Sequence, residues 1–187
     1  MKIILEDVRL FYVNATQRRK SDNGEEGKFG VQVVIPKDHP QIKKLKKIQD
    51  KVMKEGHGEK VKKAMVKLPL RDGDEERDEE EYQGMYFFNA NSDRKPGIVN
   101  KRGEIADPDD LEEYCYSGAF FNVSVNIYSY KYDGKKGVAA GLNNLMLLRK
   151  GERMDGSVNA SEDFKGYASD DDDDFDDDDF DHDDFDD

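Results

Sequence analysis

The sequence predicts a mainly β domain, a five- or six-stranded barrel with one helical insertion, that carries an acidic C-terminal tail. Three observations predict it. Short alternating strands are separated by turn-rich segments, a single lysine-rich amphipathic stretch breaks their succession early, and the last nineteen residues depart sharply in composition from the rest.

The first strand is Lys2 to Val13, KIILEDVRLFYV, in mixed apolar and polar alternation. Residues 14–27, NATQRRKSDNGEEG, are polar and turn-rich and carry Arg18, Arg19 and Lys20, so they read as a mobile basic loop. Lys28 to Pro36 returns as a second strand with Phe29, Val31, Val33 and Ile35 on one face. Asp38 is placed to cap a helix running from His39 to about Glu55, with Pro40 in its first turn. Ile42, Leu45, Ile48 and Val52 give that helix one apolar face, and lysines fill the others. The Gly-His-Gly break at 56–58 ends it, and a second short helix is expected over Glu59 to Val66.

Residues 69–81, with eight carboxylates, read as a solvated acidic loop without calcium-loop spacing. Gly84 to Asn91, GMYFFNAN, is a strand with Tyr86 and Phe88 on one side and Met85 and Phe87 on the other. A basic stretch follows with Arg94, Lys95, Lys101 and Arg102, holding a short strand at Ile98 and Val99 before its 100–103 turn, and then a capped helical connection near Asp107. The clearest strand is Ala119 to Tyr132. Phe121, Val123, Val125 and Ile127 share one face, and Asn122, Ser124, Asn126, Tyr128, Tyr130 and Tyr132 share the other. A turn at 133–137 leads into a last strand, Val138 to Arg149, in which Gly141 marks a bulge or close approach. This outline fits an OB-like barrel over 1–154; an Ig-like sandwich is the alternative, but it wants more strands, evenly spaced, and no lysine-rich helix. A polar linker spans 155–168.

The tail, residues 169–187, holds fourteen aspartates, no Lys or Arg, and Phe175, Phe180 and Phe185 at intervals of five. Like-charge repulsion and ordering entropy oppose packing, so it reads as a disordered arm. On a helix, positions five apart fall about 500° round and make no stripe, so the rings read as short anchors for a partner, together with Asp186 and Asp187. The whole chain has a formal charge of -13, but residues 1–168 hold 30 Lys and Arg against 29 Asp and Glu. The near-neutral body is electrostatically separate from its tail.

Much chemistry is excluded. Cys115 is the sole cysteine, which rules out an internal disulfide and fits a reducing cytoplasm. His39, His57 and His182 lack ligand-like spacing, so neither a metal nor a cofactor is expected. No phosphate loop, no nucleophile with a nearby base and no HExxH stretch points to an enzyme, and no catalytic residue is assigned. The run from Met1 to Leu5 is too short for a signal peptide, and no apolar stretch is long enough to span a membrane.

Aromatics interleaved with bases remain. Tyr86, Phe88, Tyr128, Tyr130 and Tyr132 on polar strand faces, with Arg94, Lys95, Lys131, Lys135 and Lys136 and the mobile Arg18, Arg19 and Lys20, suit stacking on unpaired bases with cations along the phosphates. An acidic chaperone-like interaction protein, a magnesium-dependent nuclease and an RNA-binding module are the rival readings.

Four stretches carry a resemblance: PLRDGDEER at 69–77, YFFNANSDRKPGIV at 86–99, CYSGAFFNVSVNIYSY at 115–130 and KGVAAGLNNLMLLRKGE at 136–152. The body resembles the single-stranded DNA-binding proteins of tailed bacteriophages, the OB-fold type with an acidic C-terminal tail. The resemblance implies coating of exposed strands in phage replication, recombination or repair in the infected host, often as dimers, with the tail recruiting a polymerase or helicase. This chain departs from the pattern by closing on Phe185-Asp186-Asp187 rather than on an aromatic residue.

Overall fold

The computed structural model describes residues 1–20 and 24–154. The linker and the acidic tail, with Phe175, Phe180, Phe185, Asp186 and Asp187, lie outside the described residues.

Five long strands close a barrel. They are β1 (Lys2–Asn14), β2 (Phe29–Pro36), β5 (Met85–Ser92), β7 (Phe120–Tyr132) and β8 (Lys135–Arg149). β1, β2 and β5 form an antiparallel meander, β8 runs parallel to β5, and β7 pairs antiparallel with both β8 and β1. Three short strands complete the sheet: β3 (Val66–Lys67) and β6 (Gly97–Val99) lie parallel to β8, and β4 (Arg71–Asp72) lies antiparallel to β5. This is the expected mainly β, OB-like barrel.

Period-two alternation explains the core. Val31, Val33 and Ile35 from β2 meet Leu5, Val8 and Leu10 from β1 and Phe121, Val123, Val125 and Ile127 from β7, all buried. One end of the barrel is plugged by α1 (Ile42–His57), which buries Ile42, Leu45, Ile48, Val52 and Met53. This helix starts later than Asp38 capping predicts. The Gln41 side chain accepts a hydrogen bond from Glu6 N at 2.8 Å and donates to Ile4 O at 3.1 Å, so β1 fixes where the helix can begin. A second helix over 59–66 does not form; the chain makes only a 3-10 turn at Lys63–Met65 before β3. The connection near Asp107 is α3 (Pro108–Tyr114), whose Asp107 cap accepts from Asp110 N at 2.8 Å.

The acidic segment 69–81 is not a free loop. It folds as β4, the single-turn α2 (Gly73–Glu76) and a 3-10 turn at Glu80–Tyr82. Lys37 bridges Asp72 and Asp74, and its ammonium is held above the usual lysine range chiefly by hydrogen bonds to those two carboxylates. Asp74 is correspondingly held below the usual carboxylate range by Lys37 and by Gly84 N. Tyr82 then packs edge-on against Phe11 and Phe87, with Val34 beneath, as a small second core outside the barrel.

A cleft and a tyrosine hairpin

Alternation that turns Val31, Val33, Phe88 and Ala90 inward turns Gly30, Gln32, Asn89 and Asn91 outward. Register sets Asn14 opposite Gly30, Gly30 opposite Asn91 and Gln32 opposite Asn89. Gln32 Nε2 donates to Asn89 Oδ1 at 3.2 Å, and the Tyr82 hydroxyl donates to Gln32 Oε1. A Cβ on Gly30 would stand 2.4 Å from Asn91 Oδ1, so only glycine lets that amide lie across the floor.

At the edge of this floor β1 bulges. The register slips between Phe11 and Asn14, and Tyr12 takes a φ of +49° in the left-handed region, a strain of about 1–2 kcal/mol for a side chain of this kind. The bulge turns the Tyr12 ring outward, 60% exposed. Tyr12, Asn14, Arg19, Lys28, Gln32, Arg77, Asn89 and Asn91 line an open cleft of about 530 Å³. Arg77 lies over the rings of Tyr82 and Phe87 at 5.2 and 5.3 Å, so its charge reaches the cleft from a fixed place. A second cleft, of about 560 Å³, shares Tyr12 but is rimmed by Glu79, Glu81 and Glu112, which repel phosphates. Cys115 lies in its wall, where burial pushes the thiol up to about 11, so little reactive thiolate exists at neutral pH.

The cleft floor continues onto the β7–β8 hairpin. Asn91 is opposite Gly141, Gly141 opposite Asn126, Ala139 opposite Tyr128 and Gly137 opposite Tyr130. The Tyr130 ring occupies the space above Gly137, where a Cβ would come within 2.2 Å of it, and Tyr128 stands 3.5 Å from a Cβ on Gly141. Gly141 is therefore neither the bulge nor the close approach expected, since a Cβ there would make only ordinary contacts; the register slip falls two residues later, opposite Ser124 and Val125. Asp133 and Gly134, with φ of +47° and +72°, make the tight turn that presents Tyr132, 78% exposed, with Lys131 and Lys135.

The residues expected from the sequence divide accordingly. Tyr128, Tyr130, Tyr132, Lys131, Lys135 and Lys136 share the hairpin, and Arg94 and Lys95 are exposed in the turn after β5. Arg19 lines the cleft. Arg18 is not a mobile arm: it donates to Gly27 O at 3.1 Å and Asp93 O at 2.8 Å and lies over Phe29. Lys20 is bridged to Glu26 through the backbone. Phe88 is corrected outright. It is 1% exposed and faces the barrel interior, so it offers no ring to a ligand. Tyr86 is on the same inward face, half-buried, with its hydroxyl accepting from Lys46 Nζ at 2.9 Å beneath α1. The outward face of β5 belongs to Asn89 and Asn91, whose amides were the usable signal.

Sequence reasoning missed Tyr12, Asn14, Lys28, Gln32, Arg77 and Lys67. Gln32, alone in the apolar run FGVQVVIP, marked an outward polar position. Lys67 is set beside Gly137 by a strand of two residues, too short to read from sequence. Among the described residues no group of His, Cys, Asp and Glu could hold a metal ion, and no helix is long and apolar enough to cross a membrane.

Comparison with known proteins points the same way. The family model described as Enterobacter phage Enc34, ssDNA-binding protein, matches residues 1–176. Protein p50 of Acyrthosiphon pisum secondary endosymbiont phage 1 is 28% identical over 170 residues, 86% of this chain and 90% of p50. The fold matches the single-stranded DNA-binding protein from bacteriophage Enc34 in complex with ssDNA with a TM-score of 0.69 and 25% identity, covering 82% of this chain and 89% of that one. It also matches gp2.5, a single-stranded DNA-binding protein encoded by bacteriophage T7, with a TM-score of 0.56 over 84% of this chain and 97% of that one; at 14% identity the likeness is one of fold alone.

Proposed function

The chain belongs to the Enterobacter phage Enc34 ssDNA-binding protein family, a family of binding proteins rather than enzymes, and from this premise we propose that it holds single-stranded DNA in the cleft between Tyr12 and the β7–β8 hairpin. The observation that carries the reading is the presence, along the cleft and the hairpin, of exposed rings and of cations without an ion pair. Tyr12, Tyr128 and Tyr132 are exposed, and Arg19, Arg94, Lys95, Lys131 and Lys135 make no side-chain ion pair among the described residues. Rings of this kind stack on bases regardless of sequence, and a duplex hides those faces. The amides of Asn14, Asn89 and Asn91 add donors and acceptors for base edges or sugars.

On this reading the protein coats and protects exposed strands in phage DNA replication, recombination or repair, in the cytoplasm of the infected host. The tail acts as a rival polyanion. Tethered aspartates reach an effective concentration on the order of millimolar, so they contend with DNA for the basic cleft. Once expelled, the tail, with Phe175, Phe180, Phe185, Asp186 and Asp187, is free to dock a replication protein such as a polymerase or helicase, and pairing of two copies brings two such tails together.

A gel-shift series with single-stranded DNA, duplex and RNA, on the intact chain and on one ending at residue 168, tests this. Single strands should bind in preference to duplex, and about five phosphate contacts give a slope of log K on log salt of roughly -3 to -4. Loss of the tail should tighten binding at low salt. Equal retention of duplex and single strands by the intact chain counts against base stacking, and RNA bound as tightly as DNA makes this an RNA module.

A further inference from the structure

The positive charge of the body is unevenly placed. Residues 41–67 hold ten lysines against three acids, while the other residues up to 168 hold 20 Lys and Arg against 26 Asp and Glu. The surplus therefore sits on α1, the 3-10 turn and β3, away from the cleft.

Lys46 is turned to Tyr86, Lys51 pairs with Glu55 at 3.7 Å and Lys63 with Asp50 at 3.2 Å. The other seven make no side-chain hydrogen bond or ion pair among the described residues, Lys47, Lys54 and Lys67 among them. A face that serves only solubility balances its signs, whereas this one sets ten lysines against Asp50, Glu55 and Glu59. A protein-docking face centres on a cluster of aromatic or aliphatic anchors; the outward side of α1 has none, and Met65 in the 3-10 turn stands by itself as a large exposed apolar side chain among the described residues of this surface. Lysine stems carrying point charges suit a phosphate backbone.

The surface is also joined to the hairpin. Lys67 is opposite Gly137, the residue that Tyr130 covers, and His57 at the end of α1 lies 2.9 Å from Gly137 O. The Lys63–Asp50 pair folds the 3-10 turn against α1 beside Lys47, Lys51 and Lys54. Lys67 and His57 thus join the Tyr130 end of the hairpin to this helix.

We propose that the lysine face of α1 is a second nucleic-acid surface, which extends the track beyond the cleft and grips the backbone of a longer strand through phosphates without reading or stacking its bases. The proposal rests on the reading of the cleft given above. Its test is the full-length chain with Lys47→Gln, Lys51→Gln and Lys54→Gln together, exposed positions whose change should leave the circular dichroism spectrum as in the parent. Oligo-thymidine of about 8 nucleotides, within the range one OB-like domain holds, is compared with oligo-thymidine of about 30, with protein limiting. The short strand should bind parent and variant alike. The long strand should bind the variant roughly 10- to 100-fold more weakly at 0.1 M salt, with a salt slope shallower by about 2. Equal binding of the long strand by both proteins overturns the extension while leaving the cleft standing. An equal loss on both lengths that vanishes in chains ending at residue 168 assigns the face to the acidic tail and likewise overturns it. Failure of the short strand to bind even the parent removes the cleft reading and this one with it.

Discussion

Phe88→Ala is expected to destabilise the barrel by about 3–5 kcal/mol while leaving the affinity of the folded protein for oligo-thymidine unchanged. Phe88 is 1% exposed and packs in the main core with Val33, its partner across β2. Its removal leaves a cavity that the closed barrel is poorly able to collapse around. Urea unfolding measures the first quantity and fluorescence titration below the transition the second. The pairing of results is what decides. A folded Phe88→Ala protein with a large loss of affinity and little loss of stability would return the ring to the binding surface.

Tyr128→Ala combined with Tyr130→Ala should do the reverse. Each stacked ring contributes roughly 1–3 kcal/mol, so the pair is worth at least about thirtyfold in Kd, with the salt slope unaltered because no charge is lost. Stability should change little at Tyr128, which is exposed. Phenylalanine at both positions should restore binding, since stacking needs the ring and not the hydroxyl. Parental affinity in the double alanine variant would remove the hairpin from the interface.

These two variants mark where sequence reading succeeds and where it stops. In β7 the inward positions are β-branched or aromatic and the outward ones polar or tyrosine, so period two alone orients the strand. In β5 both faces are apolar over Tyr86, Phe87 and Phe88, and alternation pairs the residues without saying which set faces in. The answer depends on Tyr82 and Arg77, which cover Phe87 from outside and so make its face apolar too. That cover in turn depends on Lys37, some forty residues earlier, holding the acidic segment down. A run of carboxylates read by itself looks solvated, and only its distant ammonium reveals a lid. The Tyr12 bulge is hidden for a related reason. Nothing in FYVN announces a left-handed tyrosine; the conformation is set by strands on either side of it. The basic loop was legible as basic, but Arg18 is fastened by carbonyls of Gly27 and Asp93, acceptors that carry no side-chain signature.

β8 has a role beyond the interface. One of its edges is filled by β7, and the other is shared in succession by β3, β5 and β6. Every one of those neighbours precedes it in the chain, so during translation the ribosome delivers the seam after all the pieces it must join. Until residues 140 and 141 have emerged, β5 lacks the neighbour that closes the cylinder, and the part of its edge beyond β4 is open to pairing with other nascent chains. Conditions that slow synthesis near the end of the body should therefore favour aggregation over assembly, a liability set by the order of the strands and not by the strength of any one contact.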